Sequence, residues 1–449
     1  MFEFTSKAKR WAYILIFVGV VGVVIGFMNN GSSHESHEGD DHAQTEAHAD
    51  GHDDHATHDA GHEEDATAHG AHADSHGGHD AGSAHQQATR PWAALFVNAI
   101  FFLGIGIGAL FFLAIQYAAQ VGWSAGLLRI MEAQALWLIV PLIVVILIVV
   151  AGLGHMHHLW HWMEEGIMVK GEPNYDPIIA GKEGFLNPIF TIVRNLLYLV
   201  IWGGAAFYFR KQSLKQDLTG DSSIWVKTRK SAAIFLVLYA VTSSVSAWDW
   251  IMSIDAHWFS TLFGWYTFAG MFVSALTVLA MLTIYLKSKG YLEWINSSHI
   301  QDLGKFMFAF SIFWTYLWFS QYMLYWYSNI PEEVTYFMQR FDQYKLMFIL
   351  MVVFNFVFPI LIVMSRDAKR VPGLVIFAGI FVILGHWIDH FVMIMPGSVG
   401  AAYGIGLVEI GGFVMFAGLF ILIVFTNLSK APLLQKNHPM LKEGNNFHQ

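Results

Sequence analysis

The sequence predicts an all-α polytopic membrane protein with about ten transmembrane helices. Three observations carry that prediction. The 449 residues are 55% hydrophobic and only 13% charged, about half the charge of a soluble domain. Apolar runs long enough to cross a bilayer recur along the chain. The basic residues then fall on one side of the runs so defined. Aromatic residues make up 16%, with 17 Trp and 37 Phe, which suits helices packed in lipid with Trp and Tyr near the interfaces.

The runs lie at roughly 11–28, 92–119, 127–153, 186–209, 231–250, 259–286, 300–327, 344–364, 374–395 and 404–427. They are too long and too evenly apolar for strands. Lys7, Lys9 and Arg10 precede the first, and Arg129 starts the third. Arg210, Lys211, Lys215, Lys227, Arg229 and Lys230 lie between the fourth and fifth. Lys287, Lys289, Arg366, Lys369, Arg370, Lys430, Lys436 and Lys442 follow the sixth, eighth and tenth. Ten spans put all of these on one side. An excess of Lys and Arg marks the cytoplasmic side, so both termini are expected in the cytoplasm. A basic start followed by an apolar run resembles a signal peptide. Met28, Asn29 and Asn30 follow it instead of a small-residue cleavage site, so the first 30 residues read as a retained anchor.

Residues 31–90 read as a His, Asp and Glu-rich periplasmic loop with no apolar residues to build a core, hence disordered. Its histidines and carboxylates could bind zinc, copper or nickel weakly, beside the plainer role of a solvated tether. Residues 91–430 form the helix bundle, and 431–449 a cytoplasmic tail. Gly22 and Gly26, and Gly104 and Gly108, have the spacing that lets helix backbones approach. The glycine run 104–108 lies inside an apolar span and is not a nucleotide loop. The absence of Cys excludes disulfides, Cys-ligated iron–sulfur clusters and covalently attached haem c. No basic patch suggests nucleic-acid binding.

Ionisable residues inside spans are costly and mark function or structural networks. His386, Asp389 and His390 recur at i, i+3 and i+4 in the ninth span and are expected on one helical face. Two imidazoles beside a carboxylate can pass protons, or hold helices together as a buried network. Asp249, Asp255 and His257 cluster at the outer end of the fifth span. Glu409 lies in the outer part of the tenth, and Gln321 and Tyr322 sit at similar depth in the seventh. Arg194 in the fourth span is placed to neutralise one of these acids. The inner half offers Glu132 in the third span and the hydroxyls of Tyr239, Thr242, Ser243 and Ser244 in the fifth. Asp249, Asp255, His257, His386, Asp389, His390, Glu409, Glu132 and Arg194 are the candidates for a proton pathway. His155, His157, His158 and His161, with Glu164 and Glu165, read as an interfacial polar cap or a metal site. Pairing one of them with His386 around haem b has nothing specific behind it. Asn329-Ile330-Pro331-Glu332 reads as a helix start with Asn as cap.

Three segments, 246–258 (SAWDWIMSIDAHW), 313–333 (FWTYLWFSQYMLYWYSNIPEE) and 386–390 (HWIDH), resemble the NrfD-like, polysulfide-reductase-type membrane subunits. Within that family they are most similar to the second such subunit of bacterial alternative complex III, the ActF type. The resemblance covers most of residues 90–430 and leaves out the His-rich loop. It implies two four-helix bundles, spans two to five and six to nine, flanked by spans one and ten. It implies a quinol:cytochrome c or electron-carrier oxidoreductase complex in the bacterial inner membrane. The implied partners are a paired NrfD-like subunit, a multihaem cytochrome c, an iron–sulfur subunit and a terminal oxidase. Haem c and iron–sulfur clusters would belong to those partners. This chain would carry no cofactor or catalytic residue, support assembly and conduct protons. A quinol-oxidising subunit and an independent ion transporter are the competing expectations.

Overall fold

A computed structural model describes residues 1–32 and 78–448. The bulk of the His-rich loop lies outside them. Ten long helices run through the described residues, with no strand among them. They are α1 (Ser6–Ser32), α2 (Gly78–Ala118), α3 (Leu128–Leu153), α4 (Pro188–Thr219), α5 (Ser222–Trp250), α6 (Phe263–Ser288) and α7 (Ser297–Ser328). The short α8 (Pro331–Asp342) follows, then α9 (Lys345–Val363), α10 (Pro372–Val399) and α11 (Leu407–Ser429). Among the described residues, nine of these are long and apolar enough to cross a membrane. The chain is a multi-pass helical membrane protein.

The tenth long helix, α7, is less apolar because its first turns carry Gln301, Asp302 and Lys305. Its 32 residues still extend about 48 Å at 1.5 Å per residue. The packing of the termini shows that it runs from one face of the bundle to the other. Phe2 sits edge-on against Phe425 at the end of α11 and Tyr291 after α6. Asn296, which caps the start of α7, donates to the Phe447 carbonyl at 2.6 Å. The far end of α7 leads into α8, whose Gln339 donates to the Pro396 carbonyl at the opposite end of α10. Both chain ends therefore share one face, called here the terminal face. The basic residues expected on one side gather there. The opposite face carries the loops 154–187, 251–262, 329–344 and 400–406.

Helices α2–α5 form one four-helix group and α6, α7, α9 and α10 a second, with α1 and α11 paired beside them. Helices α2 and α6 form the seam between groups. Glycine permits this approach: a Cβ on Gly108 would stand 2.5 Å from that of Ala275, and one on Gly104 would stand 2.6 Å from Cγ of Met271. Gly106 faces the other way, onto Leu138 of α3. The α1–α11 pair relies on the same device, with Gly22 opposite Gly411 and Gly26 against Val408. Small residues replace hydrophobic driving force, which lipid does not supply between helices.

Local rules set the helix ends. Asn187 caps α4 by accepting from Phe190 N at 2.9 Å, with Pro188 in the first turn. Asp221 caps α5 through Ser223 N at 2.8 Å. At α8 the expected start holds for Pro331, but the capping role of Asn329 does not. Asn329 adopts φ 47° and closes the C-terminus of α7, a left-handed conformation that asparagine tolerates. Helices α4 and α9 each contain a five-residue π turn, at Leu199–Gly203 and Val353–Val357. These occupy the third helix of each group.

Gly19 and Gly204 make a matched test of the pairing. A Cβ on Gly19 would lie 2.4 Å from Met415 N, whereas nothing lies within 4 Å of one on Gly204. Gly19→Ala should destabilise the α1–α11 pair by about 1–3 kcal/mol through overpacking. Gly204→Ala should be neutral or stabilise by about 0.5–1 kcal/mol. Thermal unfolding of both variants in one detergent checks this.

The C-terminal segment packs on the terminal face through His438, whose ring stands edge-on to Trp225 at 4.4 Å. Burial pushes the His438 imidazole down to about 4, so the docked form is neutral. An undocked imidazole near 6.5 binds a proton first. Docking is therefore fully stable above about pH 6.5 and weakens as pH falls toward 4. Protease cleavage within 430–447 should rise over that window in wild type and stay flat in His438→Phe.

Candidate functional site

Five acidic side chains are buried among the described residues: Glu132, Asp249, Asp302, Asp389 and Glu409. A buried carboxylate costs several kcal/mol unless it is paired and hydrogen-bonded. Four of the five have an Arg or Lys partner, and the geometry of each pairing restricts what that acid can do.

Glu132 accepts from Arg210 Nη1 at 2.7 Å and Arg129 Nη1 at 3.0 Å. Arg129 also reaches Asp217 at 2.5 Å, and Arg210 donates to the Asn427 carbonyl. Two cations thus balance two acids, tying α3, α4 and α11 together near the terminal face. Asp249 ends α5 and faces Arg194 of α4, with Nε at 2.9 and 2.8 Å from its two oxygens and Nη2 at 2.7 Å. The Tyr198 hydroxyl adds a third donor at 2.5 Å. The rings of Phe185 and Phe190 flank the guanidinium at 4.1 and 4.2 Å. Glu409 takes the Gly406 N–H at 2.8 Å and Arg90 Nε at 3.3 Å, which caps α11. Asp302 pairs with Lys305 one turn on, at 2.8 Å.

Asp389 differs. Its Oδ1 accepts the Tyr266 hydroxyl and its Oδ2 accepts Trp314 Nε1 at 2.8 Å. His386 Nδ1 stands 3.6 Å from Oδ2. No Lys or Arg joins them. His386 and Asp389 are both fully enclosed at 0% exposure, between α6, α7 and α10. Gly270 makes the room: a Cβ there would lie 3.3 Å from Asp389 Oδ2 and 3.4 Å from His386 Nδ1. Both ring nitrogens of His386 lack a hydrogen-bond partner, as does His390 Nε2. His390 leaves the face expected for it. Its Nδ1 contacts the His386 carbonyl at 2.8 Å, and its ring meets Phe101 of α2 edge-on. The i, i+4 step carries it round the helix toward α2, while the i, i+3 pair stays on the α6–α7 side.

A small cavity of about 20 Å³ lies on the opposite-face side of this pair, about the room of one water molecule. Tyr266, Gln321, Tyr336 and Arg340 line it with apolar neighbours. Arg340 of α8 is buried beneath the loop. It donates to Asp255 Oδ2 at 3.1 Å and to the carbonyls of Val392, Met393 and Tyr336, and its guanidinium covers the Tyr336 ring at 3.3 Å. Burial raises the Tyr336 phenol above its ordinary value despite Arg340, so it remains a donor. Tyr266, Tyr336 and Arg340 thus line one cavity between Asp389, which Tyr266 contacts, and the partly exposed Asp255, which Arg340 contacts.

The outer cluster expected from the sequence is therefore not one site. Asp249 goes to Arg194, Asp255 to Arg340, Glu409 to Arg90, and His257 to Asp176 at 2.5 Å on the surface. Gln321 accepts from Ser260 at 2.9 Å. In α5, Thr242 accepts from Trp202 Nε1, and Ser243 and Ser244 bond back to their own helix. His157 contacts the Ile148 carbonyl at 3.0 Å, while His155 and His161 pair separately with Glu165 and Glu164. Among the described residues, no three His, Asp or Glu side chains converge as a metal-binding group. Tyr266, Trp314, Arg340 and Tyr198 were not among the sequence candidates. Arg340 alone carried a signal, as an isolated cation in a short helix between spans.

A larger apolar cavity of about 480 Å³ opens near the opposite face between the 181–186 loop and the end of α5. Trp248, Met252, Ser253, Ala256 and Trp258 line one side of it. Lys182 is its single charged lining residue and donates to the Ala256 carbonyl.

No protein family matches the chain, and no curated protein matches it significantly.

Arg194→Leu should strand Asp249 and destabilise the protein by about 3–5 kcal/mol, whereas Arg194→Leu with Asp249→Leu should recover most of that loss. Unfolding midpoints of the single and double variants measure the difference.

Proposed function

We propose that this protein is a proton-conducting membrane subunit of a respiratory quinol oxidoreductase. The observation that carries the proposal is Asp389, a fully enclosed acid with no cationic partner and an imidazole 3.6 Å away. The other buried acids each have an Arg or Lys partner. Asp389 meets only neutral donors and a histidine, so gaining a proton removes its charge and losing one is compensated at His386. Such a pair is suited to passing a proton. Tyr266 and Arg340, which contact Asp389 and Asp255 from the two sides of one small cavity, support a route toward the opposite face.

The resemblance of residues 246–258, 313–333 and 386–390 to NrfD-like subunits supports reading this activity as part of an alternative complex III in a bacterial inner membrane. The termini would face the cytoplasm, and haem c and iron–sulfur partners would cover the opposite face. Electron transfer belongs to those partners, and this chain supports their assembly. The two four-helix groups with a flanking pair agree with that reading. A quinol-oxidising role is less well supported. Quinol oxidation needs a proton acceptor at the ring, and the 480 Å³ cavity offers only Lys182, already engaged with Ala256. The residues around His386 are close-packed.

Asp389→Asn keeps shape and hydrogen bonding but removes the titratable group. The complex should assemble normally, with reduced proton movement in proteoliposomes; electron transfer slows only where the two are coupled. Asp389→Leu should impair assembly by leaving the Tyr266 hydroxyl and the Trp314 N–H unpaired. Normal proton release and turnover in Asp389→Asn would leave packing as the role of this residue.

A further inference from the structure

We propose that the cavity at the opposite-face end of α5 binds one anionic phospholipid, with Lys182 holding its phosphate and an acyl chain lying along α5. The cavity has about 480 Å³ of room. Protein interiors rarely keep voids larger than a water molecule, so a space of this size, open to the surface and walled by apolar side chains, calls for an occupant. Its walls are braced from behind. Arg194 Nη1 donates to the Phe185 carbonyl at 3.0 Å, and Ser253 Oγ donates to the Asp249 carbonyl at 2.6 Å. Trp258 stacks on Tyr336 of α8 with ring centroids 3.8 Å apart. A ligand therefore meets a site that is already formed, which lowers the cost of binding.

The charge pattern selects the class of ligand. Lys182 is the one charged group in a lining dominated by Phe185, Trp248, Met252 and Phe259. Its ammonium donates to the Ala256 carbonyl and forms no ion pair among the described residues. Asp176, the acid that acts on it through space, is already held by His257 at 2.5 Å and by the amides of Ile178 and Ile179. Burial pushes the Lys182 ammonium below its ordinary value, and an anion beside it offsets that effect. An ammonium has three donors, so two remain for phosphate oxygens. The apolar surface then continues beyond the cavity. Ile234, Val237 and Val241 of α5 are exposed. With Trp248 they recur at spacings of three, four and seven residues, which is one helical face. From Trp248 that face runs about 21 Å toward the terminal face, at 1.5 Å per residue. An acyl chain fits along this stripe while its headgroup stays beside Lys182 and Trp258, the residue types that anchor at membrane interfaces. Free phosphate would pair with Lys182 but leave the apolar walls uncovered. A quinone would cover the walls but offers Lys182 no anion.

The test uses the full-length protein purified from the membrane, stripped of lipid in detergent and mixed with phosphatidylglycerol that carries a photoactivatable diazirine in one acyl chain. Mass spectrometry maps the peptides labelled on illumination. The site predicts saturable labelling within 181–186 and 234–259. Lys182→Glu should weaken it about fivefold or more, since one Lys near anionic lipid is worth roughly that factor. Lys182→Arg should retain it. Met252→Trp, which crowds the cavity and keeps the charge, should also weaken it. Labelling around the exposed Leu346 of α9 serves as the control for general lipid contact and should be the same in every variant. Unlabelled phosphatidylglycerol should raise the unfolding temperature of wild type and Lys182→Arg, and raise that of Lys182→Glu less. Should Lys182→Glu not fold, Lys182→Gln carries the same comparison. Labelling that does not saturate, or that survives both Lys182→Glu and Met252→Trp, overturns the proposal. So does displacement by inorganic phosphate, which makes this a phosphate site. Displacement by decylubiquinone but not by unlabelled phosphatidylglycerol overturns it in favour of a quinone.

Discussion

A carboxylate enclosed among transmembrane helices must be neutralised, and this constraint organises the polar interior of the protein. Glu132, Asp249, Asp302 and Glu409 meet it with Arg or Lys. Those pairings join α3 to α4 and α11, α4 to α5, and α2 to α11. They are fixed because removing either partner strands the other in a medium of low dielectric. Asp389 meets the same constraint differently, through a tyrosine, a tryptophan and a nearby histidine. Asp389 alone among the five has no Arg or Lys beside it.

The scaffold explains how such a site stays enclosed. Glycines 104 and 108 bring α2 against α6, and Gly270 opens the space that Asp389 and His386 fill. Asn98 links three helices, accepting from Trp387 Nε1 at 2.9 Å and donating to the Glu409 carbonyl at 3.1 Å. These contacts fix α10 against α2 and α11 while its other side faces α6 and α7. Asp249 and Asp389 both lie on the fourth helix of their group and both accept from a tyrosine, Tyr198 of α4 and Tyr266 of α6. Only the first has an arginine.

The helical membrane architecture was legible because hydrocarbon imposes length and exclusion of charge, which leave a one-dimensional trace. Even α7, with its polar first turns, could be recognised by its aromatic run and by the charge alternation around it. The glycine spacings pointed correctly to close approach. The site was legible only in part. The i, i+3 spacing brought His386 and Asp389 together, but the same rule placed His390 on their face, and it turns toward Phe101 instead. Proximity in sequence grouped Asp249, Asp255 and His257, yet each finds its partner 55 to 85 residues away.

The account rests on Asp389 being able to take up and release a proton inside the closed helix group. Infrared difference spectroscopy of the assembled complex measures this directly, through the C=O stretch of a protonated carboxyl group. The account predicts a carboxyl band in wild type that changes on turnover, shifts in D2O and is missing from Asp389→Asn. A wild-type spectrum with no such band, or one that Asp389→Asn leaves intact, would show that Asp389 does not exchange protons and would contradict the account.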